Sequence, residues 1–294
     1  MITAQLNGGL GNQLFQYSAA KSLALRHNVP LRLDISSFLR ENLPELEVPR
    51  DFELYNFTGV NDETCRLSAE ENEAIIAFLK KKSLAKLLPN YKRKIYSEPF
   101  YHFDPNFFNS RKNVLLRGQW QSEKYFSCYR NHFLHALQLR GNLVQNCQAK
   151  ANEMRSCNSV SVHVRRADYL RKQIILEWHG VMGKDYYQQA FAILKQKIGS
   201  FKPFYFTDDP EWVIENLLPL QSGELVSGTS TQNHYEDFYL ISQCKHNIIA
   251  NSSFSWWGAW LNQNPGKIVI GPKKWFDQGP KDTFDILPEA WIKI

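Results

Sequence analysis

Three polar segments in the second half of the chain could do chemistry together: residues 163–169 (HVRRADY), 206–211 (FTDDPE) and 250–257 (ANSSFSWW). Each follows a short apolar stretch that reads as a strand. If those strands are parallel in one sheet, their carboxyl ends line one crevice and the three segments form one site. In the first, Val160, Val162 and Val164 share one strand face, Ser161 and His163 the other, and Arg165 and Arg166 emerge at the end. A guanidinium fork at a strand end matches phosphate oxygens, and one charge-assisted bond of this kind contributes roughly 1.5–3 kcal/mol. Asp168 can orient an arginine or accept a proton. A surface ion pair between Arg165 and Asp168 accounts for the same residues about equally well.

In the second segment, Asp209 before Pro210 has the pattern of a helix N-cap with proline at the first helical position. That leaves Asp208, a strand-end carboxylate able to accept hydrogen bonds from a guanine edge or a ribose. Metal binding by this adjacent pair is a weak alternative, because no other clear ligand cluster accompanies it. In the third, Asn251, Ser252, Ser253 and Ser255 open a helix, whose N-terminus suits phosphate. Trp256, Trp257 and Trp260 read as core, three to one over ligand stacking, on helical spacing. A fourth segment, NGGLGNQ at residues 7–13, joins a strand to a helix. It matches a dinucleotide fingerprint incompletely, because Leu14 stands where the last glycine belongs, although Asp34 is well spaced. Asn7, Asn12 and Gln13 place amides there, suited to sugar hydroxyls or phosphate.

These segments need a scaffold, and the chain has material for one. Its 294 residues suggest two domains, and 43% of them are hydrophobic. Strand, helix and strand are expected at 2–6, 12–27 and 31–35. A capping box of Ser68 and Glu71 opens a helix over 68–88, a strand follows at 114–120, and an amphipathic helix at 123–140. A second block starts near 158, with strands at 159–164, 203–206, 247–250 and 267–270 and helices between them. Alternation of this kind predicts parallel α/β units in both halves, divided near residue 150 into 1–150 and 151–294. A cleft between the carboxyl ends of two such sheets is the expected binding place.

Other properties narrow the class. No stretch reaches the ~18 apolar residues of a membrane span, and the N-terminus lacks a signal-peptide layout, so a cytoplasmic protein is expected. Five cysteines, Cys65, Cys128, Cys147, Cys157 and Cys244, have no metal or redox spacing and read as buried thiols. The net charge of +6 suits an anionic ligand or surface without indicating nucleic acid. From Lys80 to Lys94 there are seven basic residues and no acidic one. A solvated helical face explains that run more simply than membrane contact.

Taken in order, GGLGNQLFQY, HVRRADY, YFTDD and NSSFSWWGAWL resemble the successive motifs of glycosyltransferase family 11, the bacterial-type α-1,2-fucosyltransferases, over residues 5–261. The resemblance implies an α/β, GT-B-like fold of two Rossmann-like domains facing a central cleft, with residues 1–150 on the acceptor side and residues 151–294 binding GDP-fucose. It implies inverting transfer of fucose from GDP-fucose to the 2-hydroxyl of galactose, without a metal or any cofactor beyond the donor, in O-antigen or surface-glycan synthesis. The acceptor would be a galactose-terminated oligosaccharide or lipid-linked glycan. For such a cytoplasmic enzyme, the basic run from Lys80 to Lys94 offers a peripheral contact at the inner membrane near lipid-linked acceptors.

By the same resemblance Arg165 would contact the β-phosphate, with Arg166 beside it. Asp208 and Asp209 would approach the guanine. Asn251, Ser252, Ser253, Phe254 and Ser255 would lie at the diphosphate, and Gly9, Gly11, Asn12 and Gln13 would face the site from the first domain. Arg165, Asp168 and His163 form the expected catalytic set. Asp168 is the first choice for general base, with Glu177 and His179 behind it. Family members typically carry glycine where Ala167 stands, a small change unless that position needs a positive φ. Two rivals are an NAD(P)-binding oxidoreductase built on residues 1–35 and a non-catalytic sugar-binding protein at a membrane surface.

Overall fold

The computed structural model describes residues 1–39, 49–79 and 87–294. The chain divides into two compact units, residues 1–138 with 284–286, and residues 139–283 with 287–294.

The first unit runs β1 (Ile2–Gln5), α1 (Leu10–His27), β2 (Leu31–Asp34), β3 (Glu63–Cys65), α2 (Ala69–Leu79), β4 (Ile95–Ser97), β5 (Val114–Arg117) and α3 (Arg130–Ala136). Its sheet has the order β3-β2-β1-β5-β4, and every pairing is parallel. Helix α1 begins earlier than residue 12 because Gly8 turns the chain at φ +77 and Gly9 serves as an extended N-cap. Gly11 is therefore a buried residue of the first helical turn. The Ser68–Glu71 box forms as expected, each side chain accepting from the other residue's backbone N–H. Of the helix expected over 68–88, α2 is described to Leu79, residues 80–86 lie outside the described residues, and residues 87 and 88 are not α-helical.

The helix expected over 123–140 is instead two 3-10 turns followed by α3. Tyr125 and Phe126 are both fully buried. Phe126, between the two turns, leaves the helical backbone at φ −145 and ψ −6, and this break interrupts the stripe. Tyr125 joins Tyr96, Phe107 and Trp120 in an aromatic core with ring centroids 4.7–6.0 Å apart.

The second unit runs α4 (Gln148–Ser156), β6 (Ser159–Val164), α5 (Ala167–Leu170), α6 (Gln173–His179), α7 (Lys184–Ile198), β7 (Lys202–Thr207), α8 (Pro210–Asn216), β8 (Glu224–Leu225), α9 (His234–Gln243), β9 (His246–Ile248), α10 (Ser253–Leu261), β10 (Val269–Gly271) and β11 (Ile292–Lys293). Its parallel sheet has the order β11-β10-β9-β6-β7-β8. Counted from β6 as strand 1, that is the doubly wound order 3-2-1-4-5-6, which reverses between β6 and β9. Both sheet faces are covered. Val160, Val162 and Val164 pack with Tyr187, Phe191 and Leu194 of α7, while Phe204 and Phe206 pack with Met154 of α4 and Leu240 and Ile241 of α9. Trp256, Trp257 and Trp260 are core, as their spacing indicates.

The division falls before residue 150. The polar stretch read as a linker folds into α4, and Val144, Cys147, Ala151 and Met154 are buried against the second sheet. Cys147 and Cys244 are buried thiols, but Cys65 and Cys157 are half-buried and Cys128 is exposed. Among the described residues no helix is long and apolar enough to cross a membrane.

Candidate active site

In the second unit the three polar segments meet where the strand order reverses. HVRRADY leaves β6 and NSSF leaves β9, its hydrogen-bonded neighbour, while TDD leaves β7 on the other side. They also touch directly. The Tyr169 hydroxyl donates to the Asn251 carbonyl at 3.1 Å, and the His163 ring lies 5.7 Å from that of Phe254.

Asp208 organises the loop after β6. Its Oδ1 accepts from the backbone N–H of Arg166 at 2.8 Å and of Ala167 at 3.2 Å, and its Oδ2 from that of Asp168 at 3.3 Å. Arg165 Nη1 lies 3.2 Å from the same Oδ2. A carboxylate has about four acceptor positions, and this loop supplies four donors. The expected approach of Asp208 to a guanine edge thus gives way to an anchoring role. Ala167 takes no positive φ, so its methyl group is accommodated.

The two arginines divide their duties. Arg166 Nε donates to Asp209 Oδ2 at 3.2 Å, and its guanidinium lies 4.2 Å over the Trp212 ring. Asp209 also caps α8 by accepting from Trp212 N–H. Arg166 and Asp209 therefore brace β6 against α8. Arg165 hydrogen-bonds Asp168 and pairs with Asp208, and its side chain is 26% exposed against 14% for Arg166. Asp168 is engaged on one oxygen by Arg165, and Arg171 lies 3.6 Å from the other. The ion pair read from sequence exists, and it holds Arg165 in place.

His163 is buried, and burial, aided by the Arg165 charge, pushes its pKa down to about 3. The ring is neutral near pH 7, which argues against proton transfer there. Its Nδ1 is buried and makes no hydrogen bond among the described residues. His179, stacked on Tyr169 at 4.6 Å, is pushed down to about 4 by burial. The unfolded chain protonates both rings below about pH 6.5, while the folded protein resists until about pH 3–4. Stability from these rings is thus complete above pH 6.5 and is lost as pH falls below it. The expected slope is on the order of 1 kcal/mol per pH unit for each ring. Denaturant titrations of the wild type and His163→Phe between pH 6.5 and 4 check this. The variant should show the shallower slope, and parallel lines would refute the assignment.

The α10 N-terminus presents the first-turn N–H groups of Ser253, Phe254 and Ser255, which have no intrahelical acceptor. The side chains contribute less than expected. Ser255 is fully buried, its hydroxyl donating to Ser252 carbonyl at 3.3 Å. Ser252 is buried at the N-cap, and Ser253 and Phe254 are half-buried. Asn251 is a brace, its Nδ2 donating to the carbonyls of His179, Gly180 and Trp275 at 2.8–3.3 Å.

In the first unit, Gln13 is buried and holds three backbone groups, donating to Gly8 and Asp51 carbonyls and accepting from Glu53 N–H. It straps the loop rather than presenting an amide outward. Asn12 accepts from Gln121 and Asn7 from Gln119, at 3.0 and 3.1 Å. Sequence reasoning missed both glutamines. No sequence signal marks them; they flank Trp120, whose φ of +56 in the fold is an outlier for a bulky residue. Asp34 is buried and accepts from Ser36 and Gln5, and Leu14 is core. Asp34 is thus committed within the fold and not presented to a ribose, contrary to the oxidoreductase reading.

Among the described residues no three His, Cys, Asp or Glu side chains form a metal-binding group. Of the basic run, residues 80–86 lie outside the described residues. Within the rest, Arg93 Nε donates to Leu88 carbonyl.

The model of glycosyl transferase family 11 matches residues 1–294. The chain is 31% identical over 302 residues to the O-antigen biosynthesis glycosyltransferase WbnK of Escherichia coli, covering 98% of this chain and 99% of that one. It is also 31% identical over 303 residues to an alpha-1,2-colitosyltransferase of Escherichia coli, covering 100% and 99%. Identity to galactoside 2-alpha-L-fucosyltransferase SEC1 of Bos taurus is 27% over 179 residues, 58% of this chain and 47% of the relative. Among solved structures, NodZ alpha-1,6-fucosyltransferase co-crystallised with GDP aligns with TM-score 0.50 and 18% identity, over 87% of this chain and 90% of that one. That likeness is one of fold, the GT-B-like α/β class expected from the sequence.

Proposed function

The chain belongs to glycosyl transferase family 11, and from that premise we propose that it transfers L-fucose from GDP-β-L-fucose to the 2-hydroxyl of a galactose residue, inverting the anomeric centre. The coarser activity, transfer of fucose or colitose to a glycan, follows from the family and its relatives. One observation supports a nucleotide-diphosphate donor: Arg165 is fixed by two carboxylates at the carboxyl end of β6, beside the strand that leads into α10. A guanidinium and a helix N-terminus at a strand-order reversal make a cradle for a diphosphate.

In the proposed reaction, the acceptor oxygen bonds to the fucose C1 opposite the leaving group while the C1–O bond to GDP breaks, and the acceptor's hydroxyl proton passes to solvent. Charge develops on the β-phosphate, where Arg165 and the α10 N–H groups stabilise it. That stabilisation is proposed to suffice without a metal. Asp168 positions Arg165, and His163 offers a neutral ring to the donor. Gly9 and Asn12 remain substrate-binding residues in this reading, whereas Gly11 is buried in the first turn of α1. The acceptor is proposed to be an O-antigen or lipid-linked glycan, modified on the cytoplasmic side of the inner membrane by a peripherally attached enzyme.

Colitose lacks the 3-hydroxyl of fucose, and a full-length relative is named for it. A site that hydrogen-bonds this hydroxyl rejects the deoxy analogue strongly. The test offers GDP-fucose and GDP-colitose separately with methyl β-galactoside, with and without EDTA, and determines the product linkage by NMR. The expected product is the α-1,2-fucoside, formed at a rate EDTA does not change. Faster colitose transfer would reassign the donor, and transfer of neither sugar would refute the proposal.

A further inference from the structure

A cavity of about 460 Å³ lies in the second unit between α6 and the segment around residues 274–277. Its walls form one piece. The N–H groups of Asp277, Gln278 and Gly279 donate to the last carbonyls of α6, those of Glu177 and Trp178. Gly180 ends α6 at φ +70, and a Cβ there would sit 3.1 Å from that of Asp277. Asn251 ties both walls to the chain leaving β9, through the carbonyls of His179, Gly180 and Trp275. The stacking of His179 on Tyr169 joins the cavity to the HVRRADY loop.

The lining states what it can hold. Gln173, Glu177, His179, Lys274, Phe276 and Asp277 all face the cavity. Gln173 Nε2 donates to Glu177 Oε1 at 2.8 Å and orients that carboxylate. Lys274 pairs with Asp277. His179 is neutral near pH 7. With two carboxylates and one ammonium, the lining carries a formal charge of −1. A diphosphate is repelled by such a lining, whereas a neutral sugar is suited to it. Carboxylates and an imidazole bond hydroxyls, and an aromatic ring covers the apolar face of a pyranose. The volume falls within the usual range of small-ligand sites, roughly 300–1,000 Å³.

We propose that this cavity is the subsite for the acceptor's neutral sugar, with Glu177 and Asp277 bonding its hydroxyls and Phe276 lying against its ring. The inference rests on the proposed glycosyl-transfer reading and adds the place where the acceptor binds. Methyl β-galactoside serves as the probe, observed by saturation-transfer NMR in the presence of GDP. GDP affinity is measured on the same samples by calorimetry. Glu177→Gln and Asp277→Asn change exposed side chains and are expected to fold. Each should weaken galactoside binding about tenfold, the loss of a hydrogen bond to a charged group, with GDP affinity unchanged. Phe276→Leu, which keeps an apolar side chain, should also weaken it. Galactoside binding that is absent in the wild type, or equal in all four proteins, would overturn the subsite. So would a matching loss of GDP affinity. Failure of the wild type to bind GDP would instead strike at the donor reading, so the two failures are distinguishable.

Discussion

Arg165→Ala is expected to lower kcat by about 10²–10³-fold, the usual cost of removing one preorganised donor from a developing oxyanion. The protein should remain folded. Asp208 keeps its three backbone donors when the guanidinium is gone, and Asp168 keeps Arg171 nearby. Arg165→Lys should fall between, because an ammonium supplies charge without the planar fork. Arg166→Ala is the informative contrast. It loses the bond to Asp209 and the stacking on Trp212, so it should cost about 1–2 kcal/mol of stability, read by denaturant unfolding. Its effect on kcat should be far smaller than that of Arg165→Ala. Near-normal turnover by a folded Arg165→Ala protein would remove Arg165 from the reaction.

Asp208→Ala should be nearly as damaging, by a different route. The side chain touches the backbone of three successive residues, so its loss frees the whole turn carrying Arg165. A misplacement of about 1 Å at a reacting centre can cost about 10²-fold, and a fall of that order in kcat/KM is expected. Because the lost bonds are charge-assisted, stability should also drop by about 1–3 kcal/mol. Asp208→Asn keeps one carbonyl acceptor and should show an intermediate loss in both measurements. Unchanged unfolding of Asp208→Ala, with activity lost, would point to direct substrate contact instead of anchoring.

These two effects mark what sequence could and could not show. HVRRADY, FTDD and NSSF could be grouped because each follows a strand-like apolar stretch, and parallel strands bring their ends together. The partner of each charge was not legible. Asp208 and Arg166 are 42 residues apart in sequence and 2.8 Å apart in the fold. Asn251, Ser255 and Gln13 looked available because polar types suggest ligand contact. Asn251 and Gln13 instead bond backbone groups of distant segments, which no local pattern reveals, and Ser255 turns back onto the Ser252 carbonyl one turn away. The strands missed, β3, β4, β8 and β11, are two or three residues long, too short to express a period of two. Gln119 and Gln121 gained their neighbours only through the turn at Trp120.

By itself the sequence determined the α/β class, the long central strands and helices, the core tryptophans, and the segment holding the key arginine. Those depend on periodicity and capping, which are local. Only the tertiary structure decided that Arg166 braces α8 while Arg165 stays at the site, that Asp168 and Asp208 hold Arg165, and that His163 is a neutral ring. Hydrogen-bond partners and burial decide those matters, and both are set by chain segments far apart in sequence.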